Sequence, residues 1–407
     1  LMTKPFCNAV RHGLAITAYG AVNPCCASLD FTHISNIDNI VDYVRNDADL
    51  KTKQLIEDTD EWLYECLGCK DKQDKGLVSR KDKYLKWFPL NDNEWSLNNP
   101  NAILHMDISF GNTCSQQCIM CNSNFSSKWL AADVNLYDDL LKAGSLIDDK
   151  SDDRKYARHF NKMTLKNWSL SYEQLDQIAS LVTSDTRKIE IKGGEPLYDK
   201  RFSYFVGKCL EQNPKVQIAT NTNGMHFNKK TIDMLNKIEK LNIDISFDGT
   251  GKVFEWIRSD NWDKAVKNFE NCLENLNHPV NLNYTTMMYN VDHFETFYNW
   301  AADMSDKYQQ GIPMALTQVV NSPRHIGPAF ASKDKLKAGI GQLERIKSDP
   351  RNIDANKNNT FEPRAEILIA FLQKCYDETH SDRDLERHAE VHKWFTNVRG
   401  WDIHANM

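Results

Sequence analysis

The sequence has 407 residues, 41% hydrophobic and 26% charged, which is ordinary for a globular protein with one large domain and a smaller one. Its formal net charge of −6 excludes a broadly basic surface, so large nucleic acids are the less favoured macromolecular partners. No run approaches the roughly 20 apolar residues that span a bilayer. The first residues also lack the apolar core of a signal peptide. We therefore expect a cytoplasmic protein with no membrane partner.

Cysteine usage is the first informative feature. The chain has eleven cysteines, and without a secretion signal such a number indicates metal or redox chemistry, because disulfides do not persist in a reducing compartment. Most of them fall into two groups. The scattered ones are interpreted as small core residues, or alternatively as a thiol that returns a hydrogen atom to a substrate radical: Cys209, Cys272 and Cys375.

The first cysteine group lies in residues 1–100. Cys7 precedes Gly20 by twelve intervening residues, Cys25 follows it after four, and the adjoining Cys26 is an alternative to Cys25. The segment around Gly20 predicts a hairpin that brings its two ends together. A CxxC pair further on completes a set of four thiols, which suits either tetrahedral zinc or an iron–sulfur cluster: Cys66 and Cys69.

From residue 103 strand-like runs alternate with helical patterns. Ile103–Phe110 alternates apolar and polar residues, as a half-buried strand does, and Lys229–Lys240 and Trp262–Leu276 have helical periodicity. This alternation predicts βα units and a parallel sheet. Six units would form an incomplete barrel with its chemistry at the carboxyl ends of the strands. The other strand-like runs are Lys188–Lys192, Val216–Thr222, Leu241–Asp248, Val280–Met287 and Met314–Val320.

These patterns divide the chain into three regions. We predict an α/β fold with a small cysteine module over residues 1–100, a partial (β/α)6 barrel over 101–330 and a helical extension over 331–407. The extension includes a helical pattern at Asp382–Phe395, and residues 136–165 form a polar insertion. The insertion or the extension would serve as a lid or a partner surface.

The second cysteine group directly follows the first barrel strand. It reads Cys114-Ser-Gln-Gln-Cys118-Ile-Met-Cys121. Three thiolates can hold three irons of a cubane cluster and leave one iron open to a small molecule. The alternative is half of a zinc site, which would need a fourth Cys or His, and none follows within the next thirty residues.

This CxxxCxxC motif resembles the signature of the radical S-adenosylmethionine (SAM) superfamily, and the resemblance extends over roughly residues 103–325. Gly193-Gly194-Glu195-Pro196 follows the second barrel strand and is similar to the GGEP motif of the family. Its glycines allow close approach of backbone to ligand, and its glutamate can accept hydrogen bonds from the methionyl ammonium group.

Weaker matches follow at the ends of the next strands. The resemblance implies ribose and carboxylate contacts to SAM at Asn221, Ser246, Asp248 and Arg258, although Asp-Gly is also common turn chemistry and Arg258 could be a surface cation. Met120 stands where the family often has an aromatic residue packed on adenine. A thioether can still make a soft contact with a purine face.

The first cysteine group resembles the Twitch module, a shortened relative of the SPASM domain, in which four cysteines hold an auxiliary [4Fe–4S] cluster. The module usually follows the barrel, whereas here it precedes it. That order is loosely similar to bacteriophage-encoded proteins of this kind. The resemblance implies a second cluster at Cys7, Cys25, Cys66 and Cys69, with electron transfer or structure as its role.

The resemblance implies a radical SAM enzyme that cleaves SAM reductively to a 5′-deoxyadenosyl radical, which removes a hydrogen atom from the substrate. The cofactors carry this chemistry, while the protein positions the substrate and excludes quenchers. The implied partners are a reductant protein such as flavodoxin or ferredoxin and a peptide or protein side chain. The alternatives are a small molecule, nucleotide or nucleic-acid base as substrate, and a non-catalytic iron–sulfur protein.

Overall fold

The computed structural model describes residues 7, 9, 12–25, 32–47, 62, 66–74, 79–88, 102–133, 135, 167–320, 324–351 and 362–403. Cys26 and the polar insertion at 136–165 lie outside these residues. The chain divides into two compact units. The first comprises residues 1–115, 123–220 and 237–241, and the second comprises 116–122, 221–236 and 242–407.

The first unit is built on a mostly parallel sheet with the strand order β2-β1-β3-β4-β5. β1 and β2 form an antiparallel hairpin, and β1 also pairs in parallel with β3, which pairs in parallel with β4. Gly20 makes the hairpin turn at a φ of 77°, a left-handed conformation that glycine adopts without strain. The strands are β1 (Gly13–Ile16), β2 (Val22–Asn23), β3 (His105–Ser109), β4 (Lys188–Lys192) and β5 (Gln217–Thr222).

The helices of the first unit begin at clear capping signals. Ser79 and Asp82 form a reciprocal capping box at the start of α2, and Ser171 and Gln174 do the same at α3. Short helical turns lie at 34–36, 40–47 and 127–129. The helices are α1 (Leu67–Asp74), α2 (Arg80–Trp87), α3 (Tyr172–Ala179) and α4 (Lys200–Gln212).

The second unit alternates strands and helices. β6 pairs in parallel with β7, and β7 with β8. Phe247, which follows β6, is fully buried in an aromatic cluster that includes Trp300 at 5.1 Å between ring centroids. This packing fixes the loop after β6. The elements are α5 (Lys229–Leu235), β6 (Lys240–Ser246), α6 (Gly251–Arg258), α7 (Trp262–Asn275), β7 (Val280–Thr286), α8 (Phe294–Tyr308), β8 (Met314–Val319), α9 (Lys333–Lys347), α10 (Glu362–Asp377) and α11 (Asp382–Arg399).

The mixed α/β fold with a parallel sheet confirms the expected class. Each expected strand from β3 to β8 is present, with ends within two residues of the expected ones. The expected helix Lys229–Lys240 is wrong at its end: α5 stops at Leu235 and β6 begins at Lys240. The Asp382–Phe395 pattern continues to Arg399. No helix among the described residues is long and apolar enough to cross a membrane.

Candidate functional site

The loop with the central cysteines begins in the first unit, where Asn112 fixes its two ends. Asn112 is fully buried, its side-chain amide donates to the Ser123 carbonyl at 2.8 Å, and its own carbonyl accepts from Ser127 N at 2.6 Å. The Cys114 N–H donates to Ser127 Oγ at 3.3 Å. Asn112 therefore joins the start of the cysteine loop to its end.

The GGEP loop lies directly against the residue that precedes Cys114. The Glu195 N–H donates to the Thr113 carbonyl at 2.8 Å. Gly194 has a φ of 58°, and a Cβ there would come within 2.2 Å of Thr113 O, while a Cβ on Gly193 would come within 2.6 Å of Ser109 Cβ. These glycines are therefore required by close approach as well as by backbone conformation. Glu195 is buried, with one carboxylate oxygen accepting from Leu197 N at 3.1 Å, and the buried Pro196 continues the turn toward α4.

A buried ion network lies on the polar face of β3 and β4. Lys192 Nζ is 2.9 Å from Asp107 and 2.6 Å from Glu190, and Arg80 of α2 reaches both carboxylates at 3.4 and 3.6 Å. Burial alone would raise the pKa of Glu190, but a hydrogen bond from His105 and the neighbouring lysine charges outweigh it, so the pKa is well below its ordinary range. The network fastens α2 to the strand that leads into the GGEP loop.

In the second unit, Arg258 joins Cys118 to Asp248. Its guanidinium pairs with the Asp248 carboxylate, and its Nη1 is 3.7 Å from Cys118 Sγ. Cys118 is 4% exposed, and Cys121 N donates to its carbonyl at 2.9 Å. A hydrogen bond from Cys121 and the charge of Arg258 lower the pKa of Cys118 to about 7, although burial opposes this. This environment stabilises a thiolate.

Asp248 is held in place on every side. It is fully buried at a φ of 61°, and its carboxylate accepts from Thr285 N at 2.6 Å. Asn290 donates to its backbone carbonyl at 2.9 Å. Burial raises the pKa of Asp248, and Arg258 acts against this shift. Within this unit, therefore, the carboxylate that the sequence suggested as a SAM contact orients Arg258.

The remaining candidates in the second unit are more accessible. Met120 and Ser246 are half-buried and Asn221 is exposed. Ser246 lies beside Asn283 in the parallel pairing of β6 and β7. On the same face, Asn281 donates to Asn242 at 3.1 Å. A face rich in amide and hydroxyl groups, rather than an apolar one, is unusual for a buried parallel sheet and is suited to a polar ligand.

The first cysteine group lies in the first unit, and among the described residues its four thiols do not form a ready-made metal site. Cys7 and Cys25 both pack against a small buried cluster formed by Ala9, Tyr84 and Phe88. Burial is the main cause that raises the pKa of Cys7 to about 11, and the nearby charges of Cys66 and Cys69 act in the same direction. The ten described cysteines form no disulfide with one another.

The donor chemistry fits an iron–sulfur cluster at the central loop. A half-exposed Cys114 follows backbone pinned by Asn112, and Cys118 faces a fixed cation. Within the described residues, no three side chains of His, Cys, Asp or Glu form a ready-made metal site. The assignment of the three ligands therefore rests on their sequence spacing and on the contacts around each one.

Sequence reasoning missed two residues of this region. Asn112 follows a strand and a glycine, which reads as ordinary turn chemistry. Arg399 lies in the last turn of α11, far along the chain, and its Nε donates to Trp256 O at 3.0 Å while Nη1 donates to Gln117 Oε1 at 3.2 Å. No motif marks such a contact. In the sequence, Arg399 looks like any basic residue that caps the last turn of a helix.

Residues 108–301 match the family model of the radical SAM superfamily. No curated protein matches the sequence. Among solved structures, Streptococcus suis SuiB bound to S-adenosylmethionine is 12% identical, with 83% of this chain and 69% of that chain covered and a TM-score of 0.40. The structure of anSMEcpe with bound AdoMet and a Cp18Cys peptide is 14% identical, with 46% of this chain and 54% of that chain covered and a TM-score of 0.36. The structure of TYW1 with a lysine-pyruvate adduct bound is 15% identical, with 59% of this chain and 71% of that chain covered and a TM-score of 0.30.

Proposed function

We propose that this chain, whose residues 108–301 match the radical SAM family model, is a radical SAM enzyme in which Cys114, Cys118 and Cys121 hold a [4Fe–4S] cluster whose open iron binds SAM. When bound and reduced, this pair of cofactors supplies a 5′-deoxyadenosyl radical that abstracts a hydrogen atom from the substrate. The observation that carries the proposal is the buried Cys118 thiol facing the Arg258–Asp248 ion pair.

The chain's own residues prepare this site for an anionic cluster. Arg258 places a buried positive charge beside Cys118, which favours the thiolate that iron requires. Asp248 holds that charge in one position. Burying an uncompensated thiolate would cost free energy, so the cation also reduces the free-energy cost of folding the apoprotein.

The GGEP loop is the proposed contact for the methionyl end of SAM. Gly193 and Gly194 keep the loop free of side-chain bulk, so its backbone can approach a ligand, and they seat it against Thr113. The Glu195 carboxylate would accept hydrogen bonds from an ammonium group. Asn221, Ser246 and Met120 remain the proposed contacts for the ribose, carboxylate and adenine.

An auxiliary [4Fe–4S] cluster at Cys7, Cys25, Cys66 and Cys69 is the second part of the proposal. Its support is the packing of Cys7 and Cys25 against the cluster of Tyr84 and Phe88, together with the Cys-x-x-Cys spacing of the other two cysteines. Four protein ligands would leave no open iron, which suits electron transfer. The finer architecture is a Twitch-like module over 1–100, a partial (β/α)6 barrel over 101–330 and a helical extension over 331–407.

The proposed substrate is a peptide or protein side chain. The amide-rich face of β6 and β7, with Asn242 and Asn281 half-buried, offers donors and acceptors that match peptide groups. The electron would come from a flavodoxin or ferredoxin in the cytoplasm. A small molecule or nucleotide would use the same radical chemistry and is distinguished by the substrate experiment below.

Anaerobic reconstitution with iron and sulfide, followed by SAM and dithionite, tests the function. We expect the wild-type chain to release 5′-deoxyadenosine, and Cys118→Ala to release none because one of the three ligands is lost. Buried Cys272→Ala, also in the second unit, serves as the matched control and should retain cleavage. Absence of 5′-deoxyadenosine from the wild-type chain would refute the proposal.

The substrate class is determined by measuring which deuterated compounds transfer deuterium to 5′-deoxyadenosine. A library of deuterated peptides and one of deuterated nucleosides and sugars are each incubated with the reconstituted enzyme. We expect deuterium to enter 5′-deoxyadenosine from peptides only. Transfer from a nucleoside or sugar, without transfer from any peptide, would replace the peptide assignment with the small-molecule one.

A further inference from the structure

The end of helix α11 contacts the loop that contains Cys118. The Arg399 Nη2 donates to the Gln117 carbonyl, and its Nη1 donates to the Gln117 side-chain oxygen at 3.2 Å. Gln117 directly precedes Cys118. The planar guanidinium thus holds both the backbone and the side chain of one residue, a geometry that a lysine ammonium cannot reproduce.

The same guanidinium also binds the last turn of α6. Its Nε donates to the Trp256 carbonyl at 3.0 Å, one of the terminal helix carbonyls that have no partner within the helix. The next carbonyl, of Ile257, accepts from Ile119 N at 3.0 Å. Contacts from the end of α6 therefore lie on both sides of Cys118, and Arg399 makes the one on the Gln117 side.

The packing around Arg399 holds the end of α11 in register. Gly400 ends the helix at a φ of 75°, and its N–H donates to Thr396 O at 2.9 Å. Trp401 then packs edge-on against the fully buried Trp256, with ring centroids 5.0 Å apart. The helix end has one fixed position relative to α6, and so does Arg399.

Charge is the second contribution of Arg399. Burial lowers its pKa to about 10, while the Cys118 thiolate acts in the opposite direction. The site thus places two cations near one thiol, with Arg258 in direct contact with Cys118 and also neutralised by Asp248. A thiolate-ligated cluster gains negative charge on reduction, so a neighbouring cation favours the reduced form.

We propose that Arg399 is a positioning residue of the radical SAM site: it fixes the backbone before Cys118 and places a second positive charge beside the cluster, which makes α11 part of the catalytic apparatus. This inference rests on the proposed cluster at Cys114, Cys118 and Cys121. It assigns to the C-terminal helix a role in the reduction potential and retention of that cluster.

Two substitutions separate geometry from charge. Arg399→Gln removes both the planar set of guanidinium hydrogen bonds and the positive charge. Arg399→Lys keeps the charge but cannot form the same set of hydrogen bonds. The residue borders an open cleft of about 320 Å³ that Asp260 and Trp401 also line, so water can occupy the vacated space. Arg345→Gln is the matched control, because Arg345 is 60% exposed and pairs with Glu295 in the same unit.

The readouts are iron loss to a chelator and an EPR-monitored redox titration of the signal that changes when SAM is added. We expect both Arg399 variants to lose this cluster about 10-fold faster than wild type, which is the scale of lost outer-shell contacts to metal ligands. Only Arg399→Gln should titrate at a more negative potential. Arg345→Gln should match wild type in both measurements.

Wild-type retention and potential in both Arg399 variants would overturn the inference while leaving the proposed function intact. A wild-type chain with no SAM-responsive signal would instead refute the proposed function, and with it the role of Arg399. Faster cluster loss with an unchanged potential in Arg399→Gln would overturn the electrostatic part and support positioning alone.

Discussion

The two cysteine groups of this chain differ in what surrounds them before any metal binds. Cys118 faces the fixed cation of Arg258, and its pKa is lowered to about 7. Cys7 is half-buried near the charges of Cys66 and Cys69, and its pKa is raised to about 11. The fold thus stabilises the Cys118 thiolate at the central loop, whereas in the N-terminal group it favours the neutral thiol of Cys7 until a metal supplies positive charge.

This difference suits the two proposed tasks. A site that must leave one iron open has only three thiolates, so extra stabilisation from the protein helps to retain the cluster. A site with four ligands can depend on the metal itself. Metal binding there would release protons and contribute directly to folding, as in structural metal sites.

Paired substitutions give the largest expected contrast between the groups. Cys118→Ala with Cys121→Ala should abolish SAM cleavage, and Cys66→Ala with Cys69→Ala should preserve it while removing the auxiliary cluster. Each double variant should lose about half of roughly eight irons per chain. Iron analysis and 5′-deoxyadenosine release measure this.

The alternative metal at the N-terminal group gives a clear contrary result. About four irons per wild-type chain, together with zinc that disappears in the Cys66/Cys69 double variant, would identify a structural zinc site. The auxiliary cluster would then be wrong, and the comparison between the groups would become one between a redox site and a folding site.

Removing the carboxylate behind Arg258 should have the next largest effect. Asp248→Asn leaves a buried guanidinium without its counter-charge, and breaking such a pair costs about 3–5 kcal/mol of unfolding free energy. Urea unfolding of the anaerobic apoprotein measures it. Asp107→Asn is the matched control in the first unit, where Glu190 remains beside both Lys192 and Arg80, so we expect a loss nearer about 1 kcal/mol.

Equal losses for the two variants would contradict the view that Arg258 depends on one carboxylate. Equal losses would indicate that the cations of the network on β3 and β4 depend on a single carboxylate as much as Arg258 does. A neutral Asp248→Asn variant would instead show that Arg258 finds another partner, and that Cys118 is held by contacts other than this pair.

Much of this arrangement follows from the sequence, because local patterns determine it. The alternation in β4 and the capping serines of α2 and α3 act over a few residues, and the three central cysteines share one short loop. The hairpin around Gly20 was also expected from turn chemistry. The pairing of this hairpin with β3 was not expected, because pairing between residues as far apart as Gly13 and His105 leaves no local signature in the sequence.

Long-range contacts account for what the sequence did not indicate. Arg399 reaches Gln117 across 282 positions, and Tyr84 bonds to His105 at 2.5 Å although the two belong to different predicted regions. Asp248 could be placed at the end of a strand, but its pairing with Arg258 and its hydrogen bond from Thr285 N are contacts between different elements. Such partners depend on tertiary structure rather than on propensity or spacing.

The smallest expected effect is a pair of opposite pH dependences in the apoprotein. The folded pKa of Cys118 lies below the ordinary value of about 8.5, so between pH 7 and that value the unfolded chain binds more protons and stability rises with pH. The folded pKa of Cys7 lies above it, so stability falls as pH increases beyond about 8.5. Cys118→Ser should remove the rise and Cys7→Ser the fall, in urea midpoints measured anaerobically with reductant. Identical profiles for the two variants would contradict the contrast between a thiolate prepared by Arg258 and a thiol kept neutral by burial.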